Sequence, residues 1–253
     1  MIGRLVLAGV YQGITLVWLA SYSVLLGWRW LWADQAGFRE GLARLGLVQE
    51  TALPKRPTLV YAEGVGECRA ALPWLKAMLK NPDNRVVVVV LDKEAKTMME
   101  KIGGGIPVVL LPWDIRVSMA WFFTTLNPQG VIIIERGIWP NFFQVLGQKK
   151  IPCMIASARL SERSFYFYKS LGKIFQQLIQ PVTLWGAQSE AIRQQYLDLG
   201  VSEEKIHTWG NIKYALDGLS DVALSQAREV GEQWLAGQKG PILVGVSTHE
   251  GEE

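Results

Sequence analysis

The sequence predicts an α/β protein built on a doubly wound parallel sheet, with a helix ahead of it. Three observations predict this. Short apolar runs alternate with segments of helical spacing between residues 59 and 199, the rhythm of βαβ units. One run, Val86-Val87-Val88-Val89-Val90, shows no polar alternation and so calls for burial on both faces, as in a parallel sheet. Polar residues also recur where the runs end: Glu67, Glu135, Ser157-Ala158-Arg159 and Gln188-Ser189-Glu190. Those positions line the ligand crevice of open α/β folds.

Between Arg4 and Arg29 there is no charged residue, a length sufficient for a bilayer, which takes roughly 20 apolar residues. Trp28, Trp30 and Trp32 resemble an interfacial belt, and Gln12 with several Ser and Thr residues weakens the apolar character. Residues 1–32 are therefore expected to be a membrane anchor, either spanning or lying in the interface. Arg29, Arg39, Arg44, Lys55 and Arg56 follow it, whereas Arg4 alone precedes it. That bias puts the globular part in the cytoplasm. Residues 33–56 read as an amphipathic linker ending at Pro54 and Pro57.

Leu59-Val60-Tyr61-Ala62 is the first strand, and Gly64 and Gly66 are expected to let the backbone bend sharply before a helix carrying Ala70, Leu75 and Leu79. Glu67 then sits in the first helical turn, as a cap or as a carboxylate offered to a ligand. Strands are expected at 85–91, 108–112, 131–135, 153–156 and 184–187. Helices are expected at about 94–101, 117–126, 142–149, 164–180 and 190–199. Residues 57–215 form this domain. Gly210-Asn211-Ile212-Lys213 is a glycine-centred turn, residues 220–235 a polar helix and residues 241–246 a strand. Ser247-Thr248-His249 with Gly251 then looks like the first βα turn of a second α/β domain, suited to a phosphate. Residues 216–253 are thus expected to be a connecting helix and the beginning of an incomplete domain.

A net charge of +3 spread along the chain does not favour nucleic acid as a partner. Cys68 and Cys153 match no metal-ligand spacing and suggest reduced thiols, with a disulfide left open. No Gly-x-Gly-x-x-Gly follows the first strand, which disfavours a dinucleotide oxidoreductase.

Together these motifs resemble the bacterial Kdo transferases, membrane-anchored enzymes that add 3-deoxy-manno-octulosonic acid (Kdo) to lipid A precursors. Gly64-Val65-Gly66-Glu67 resembles the family's Ser-Val-Gly-Glu, and Leu111-Pro112-Trp113-Asp114 its Leu-Pro-Phe/Tyr-Asp. Glu135-Arg136-Gly137-Ile138-Trp139-Pro140-Asn141 resembles Glu-Thr-Glu-Leu-Trp-Pro-Asn, and residues 158–164 are nearly identical to their counterpart. Gln188-Ser189-Glu190, Gly210-Asn211-Ile212-Lys213 and residues 247–253 follow in the family's order. The resemblance implies a Rossmann-like acceptor domain of the two-domain GT-B arrangement, a location at the inner membrane and no cofactor beyond the donor CMP-Kdo or a related CMP-sugar.

By that resemblance Glu67 is the catalytic base. Gly66, Glu135, Asn141, Arg159, Ser161, Arg163 and Ser189 are acceptor-binding. Lys213, Ser247, Thr248, His249, Gly251 and Glu252 are donor-binding, and no metal is implied. The expected partners are a lipid A precursor, a CMP-sugar, membrane lipid and a separate or omitted donor domain, without which this polypeptide is expected not to transfer sugar. The competing reading is a non-catalytic lipid- or partner-binding module derived from such an enzyme. Three departures stand out: Gly64 replaces a serine, Gly137 replaces the second glutamate, and Glu63 adds a charge.

Overall fold

The computed structural model describes residues 2–31, 35–47 and 53–215, with 225, 228, 229 and 231–233 beyond them. The chain divides into Met1–Ala215 and Leu216–Glu253. Of the second unit the few described residues are helical and fall within 220–235. The strand expected at 241–246 and the donor-side residues Ser247, Thr248, His249, Gly251 and Glu252 lie outside the described residues.

The first unit carries helices α1 (Ile2–Leu31), α2 (Gln35–Arg44), α3 (Val65–Met78), α4 (Lys93–Ile102), α5 (Arg116–Leu126), α6 (Pro140–Lys149), α7 (Glu162–Leu171), α8 (Lys173–Leu178) and α9 (Glu190–Asp198). Its strands are β1 (Thr58–Tyr61), β2 (Val86–Val90), β3 (Val108–Leu110), β4 (Gly130–Ile134), β5 (Cys153–Ala158), β6 (Val182–Ala187) and β7 (Ile206–Thr208). All seven form one sheet in the order β3-β2-β1-β4-β5-β6-β7, and every neighbouring pair is parallel. The chain enters at β1, winds out to β3, and returns beside β1 as β4 before filling the other half. The winding reverses between β1 and β4, which opens a crevice at their carboxyl ends.

All five valines of β2 are buried, as their lack of alternation demands. The pleat divides them, sending Val87 and Val89 into one layer with Phe122, Phe123, Phe142, Phe143 and Phe175. Val86, Val88 and Val90 enter the other with Cys68, Leu75, Ala95 and Met99. Each such burial contributes roughly 1.5–3 kcal/mol, so β2 fixes both helical layers against one strand.

Two local expectations need correction. The helical stretch 164–180 breaks at Gly172, whose φ of 51° a helix does not admit, and becomes α7 and α8. Strand β7 carries too little apolar pattern to announce itself, since only Ile206 of its three residues is buried. Gly64 makes the bend before α3 with extended backbone at φ −131°, and neither it nor Gly66 takes a positive φ. Within the stretch read as a linker, α2 packs against β3, with Arg44 buried and donating to the Leu111 carbonyl at 3.1 Å.

The spanning anchor is also corrected. Among the described residues no helix is long and apolar enough to cross a membrane. At 30 residues α1 has the length, but Gln12, Thr15, Ser21 and Ser23 interrupt its apolar character. Thr15, Ser21 and Ser23 turn their hydroxyls back onto helix carbonyls. Two polar side chains of α1 are engaged with the α/β unit instead. The Tyr11 hydroxyl donates to Asp114 at 2.6 Å, and the Gln12 amide donates to Asn141 at 2.5 Å. Trp18 meets Trp113 edge-on at 4.8 Å between ring centroids.

Candidate active site

The crevice at the switch point is a cleft of about 300 Å³ lined by Glu63, Glu135, Arg136, Gly137, Trp139, Arg159 and Ser161, with Tyr168 and Tyr196 among its walls. Glu63 follows β1, and its carbonyl accepts the Leu91 N–H at 3.0 Å, which fixes it alongside β2. Glu135, Arg136 and Gly137 follow β4. Arg159 follows β5, and its N–H donates to the Glu135 carbonyl at 3.0 Å. Adjacent parallel strands thus deliver residues of their carboxyl-terminal loops to one place.

Glu135 is the floor of the cleft. Its side chain is fully buried, with Lys213 Nζ 2.8 Å from Oε1 and Arg159 Nη1 3.8 Å from Oε2. These contacts are ionic, and neither oxygen receives a directed hydrogen bond among the described residues. The backbone is held unusually as well: Glu135 and Ser157 both have positive φ, 62° and 58°. Such conformations cost of order 1–3 kcal/mol each and cluster where side chains must be aimed for function.

A web of hydrogen bonds brings Lys213 to Glu135. Ser157 Oγ accepts from Gln188 Nε2 at 3.1 Å and from the Ile212 N–H at 3.1 Å. Asn211 Nδ2 donates to Gln188 at 3.4 Å, and Asn211 Oδ1 accepts the Lys213 N–H at 2.9 Å. The polar strand ends and the Gly210–Lys213 turn, far apart in sequence, are thereby one network.

Burial raises the carboxyl pKa of Glu63 above its ordinary value; Arg136 pulls it back, while Glu67 and Asp92 push it further up. Glu67 itself does not line the cleft. It stands in the first turn of α3, where its carboxylate accepts the Gly64 N–H at 3.3 Å, and it lies within electrostatic reach of Glu63. Both cysteines are free and buried. Burial, with Asp92 and Glu67 nearby, pushes the Cys68 thiol up to about 12, which makes it a packing group and not a nucleophile.

The cleft therefore unites Glu135, Arg159 and Ser161, with Lys213 against its floor. Other expected binding residues have tasks within the fold. Asn141 is 1% exposed, and its amide donates to the Asp114 carbonyl at 2.5 Å while accepting from Gln12, so it does not face the cleft. Ser189 caps α9 by accepting the Ile192 N–H at 3.3 Å. Arg163 is exposed outside the lining and makes no ion pair with the neighbouring Glu162. Gly66 is exposed, with open space where a Cβ would stand. Sequence reading missed Arg136, Tyr168 and Tyr196. Arg136 was the findable one, since it directly follows a strand-end carboxylate.

Solved structures share this sheet at low identity. The UDP-GlcNAc 2-epimerase of Neisseria meningitidis, bound to UDP-GlcNAc, superposes with a TM-score of 0.53 and 12% identity over 71% of this chain and 54% of its own. Closer in sequence are 3-deoxy-D-manno-octulosonic acid transferases. That of Haemophilus influenzae is 30% identical over 204 residues, 79% of this chain and 47% of the relative. That of Bordetella pertussis is 27% identical over 243 residues, 89% of this chain and 54% of the relative. The chain spans about half the length of the curated relatives it matches. A family model for 3-deoxy-D-manno-octulosonic-acid transferase (kdotransferase) matches residues 39–216, which contain every strand of the sheet and the whole lining of the cleft. The chain belongs to that family.

Proposed function

We propose that this chain supplies the acceptor-binding domain of a GT-B glycosyltransferase that moves Kdo, or a related acidic sugar, from a CMP-sugar to a lipid A precursor. The observation that carries the reading is the buried Glu135 at the switch point, ion-paired with Lys213 and Arg159 yet without a directed hydrogen bond among the described residues, at the floor of an open cleft. A buried carboxylate in that condition is costly to keep, and donors from a bound polyol would complete it.

Glu67 is the proposed general base. It takes the proton of the acceptor hydroxyl, whose oxygen attacks the anomeric carbon, and the bond to CMP breaks with its electron pair leaving on the phosphate. Arg159 and Ser161, with Arg163 at the cleft's margin, hold the acceptor's phosphate or hydroxyls. Lys213 faces the donor's carboxylate, and Ser247, Thr248, His249, Gly251 and Glu252 are assigned to the donor phosphate. For membrane lipid, the exposed Val10, Ile14, Val17 and Val24 of α1 suit a helix lying in the interface.

The test is transfer from CMP-Kdo to a lipid A precursor by the full-length protein. Glu67→Gln is expected to lower kcat by roughly 100-fold or more. Transfer within a few-fold of wild type would remove Glu67 from the role.

A further inference from the structure

Position 137 cannot carry a side chain in this fold. Gly137 has φ 132°, and a Cβ there would lie 2.6 Å from Cε1 of Tyr61. Tyr61 is 1% exposed, and its hydroxyl accepts from Trp139 Nε1 at 3.3 Å, a nitrogen that itself lies 3.6 Å from where a Cβ at 137 would stand. The carboxylate that the motif resemblance places at 137 is therefore excluded by geometry as well as absent from the sequence. Yet the wall that Gly137 leaves bare is not without a carboxylate. Glu63 lines the same cleft, arriving from the end of β1, which pairs with β4 through Tyr61 and Ile133.

Arg136, beside Gly137, lines the cleft too and lies within electrostatic reach of Glu63. These two charges are of opposite sign, and they stand over a floor where Lys213 and Arg159 flank Glu135. We propose that Glu63 replaces, from the neighbouring strand, the carboxylate that position 137 cannot hold, and that it binds the acceptor's sugar hydroxyls while Arg136 takes an adjacent phosphate. Glu63 and Arg136 are thus specificity-determining residues that this chain adds to its acceptor cleft. The inference rests on the acceptor-binding reading above.

The chemistry sets a pH signature. An ionised Glu63 accepts hydroxyl protons at both oxygens, and a protonated one loses part of that capacity. The charged groups that face it are Arg136, Glu67 and Asp92, with the Tyr61 hydroxyl beside them. Burial holds the Glu63 carboxyl above its ordinary value, so binding should begin to weaken as pH falls while ordinary exposed carboxylates are still ionised.

The experiment is equilibrium binding of a water-soluble glucosamine disaccharide bisphosphate to the full chain, followed by tryptophan fluorescence from pH 4.5 to 8. Glu63→Gln is expected to weaken binding about tenfold at pH 7.5 and to flatten its pH dependence. Arg136→Gln should weaken the bisphosphate more than the dephosphorylated disaccharide and reduce the salt sensitivity of binding. Glu162→Gln, on the exposed start of α7, serves as a charge-matched control. If wild type binds and Glu63→Gln matches it within twofold across the pH range, the assignment of Glu63 is overturned while the acceptor-binding reading stands. If wild type binds neither disaccharide, the reading itself fails and the inference falls with it.

Discussion

Glu63 illustrates what a half-buried carboxylate costs its own fold. A carboxyl whose pKa rises on folding holds its proton more tightly in the folded than in the unfolded chain. Stability therefore falls as pH climbs from the ordinary carboxylate value through the raised one, and above it the full cost is present. Glu63→Gln removes that cost at neutral pH. The variant's Tm is expected to exceed wild type by about 1–3 °C at pH 7.5, with the gain shrinking toward pH 4.5; an equal gain at both ends would contradict the argument. At this scale the sequence was partly readable. Glu135 could be found because a carboxylate after a buried apolar run falls at a strand's carboxyl end. Asn141 misled because its motif position says nothing about Asp114, whose carbonyl its amide meets. Glu63 registered only as an extra charge, since its placement beside Arg136 requires the pairing of β1 with β4.

Among the elements, α1 departs furthest from expectation, and Asp114 explains why. This half-buried carboxylate accepts the Tyr11 hydroxyl at 2.6 Å, the Asn141 N–H at 3.0 Å and the Phe142 N–H at 2.8 Å. It joins α1 to the amino terminus of α6, where unpaired N–H groups and the helix dipole favour an anion. Asp114→Asn puts a donor where acceptors are needed, so a loss of about 2 kcal/mol is expected, with hydrogen exchange in α1 accelerating more than in β4. Unchanged protection of α1 would show that the helix is not docked this way. The apolar length of α1 was plain in the sequence, but Gln12 looked like a flaw in an anchor because the partners of Tyr11 and Gln12 lie more than a hundred residues away. Likewise, the break at Gly172 was hidden within a continuous helical pattern that a single positive φ interrupts.

At the level of the whole molecule, buried β2 and the central pair β1–β4 should be the last parts to open. Hydrogen exchange is expected to be slowest in β1, β2, β4 and β5 and faster in the three-residue edges β3 and β7; a uniform rate across the sheet would contradict this. The alternation of apolar runs and helices was enough to read the parallel sheet, because burial on both faces removes period-two patterning. The strand order was not spelled out residue by residue. It follows from how the crossovers pack, and with it comes the crevice between β1 and β4.

The contact between Gly137 and Tyr61 also bears on how the sequence can change. A glutamate at 137 is closed to a single substitution, because it would meet the Tyr61 ring and a backbone angle that L side chains rarely adopt. Shrinking residue 61 first would open a cavity in a packed layer. Each step is costly alone and the two residues touch, so their effects are coupled, while the backbone strain at 137 remains whatever stands at 61. Acidity in this cleft is most readily altered at Glu63 and Arg136, which change without disturbing that contact. Change in the acidity of the cleft is thereby channelled to the ends of β1 and β4.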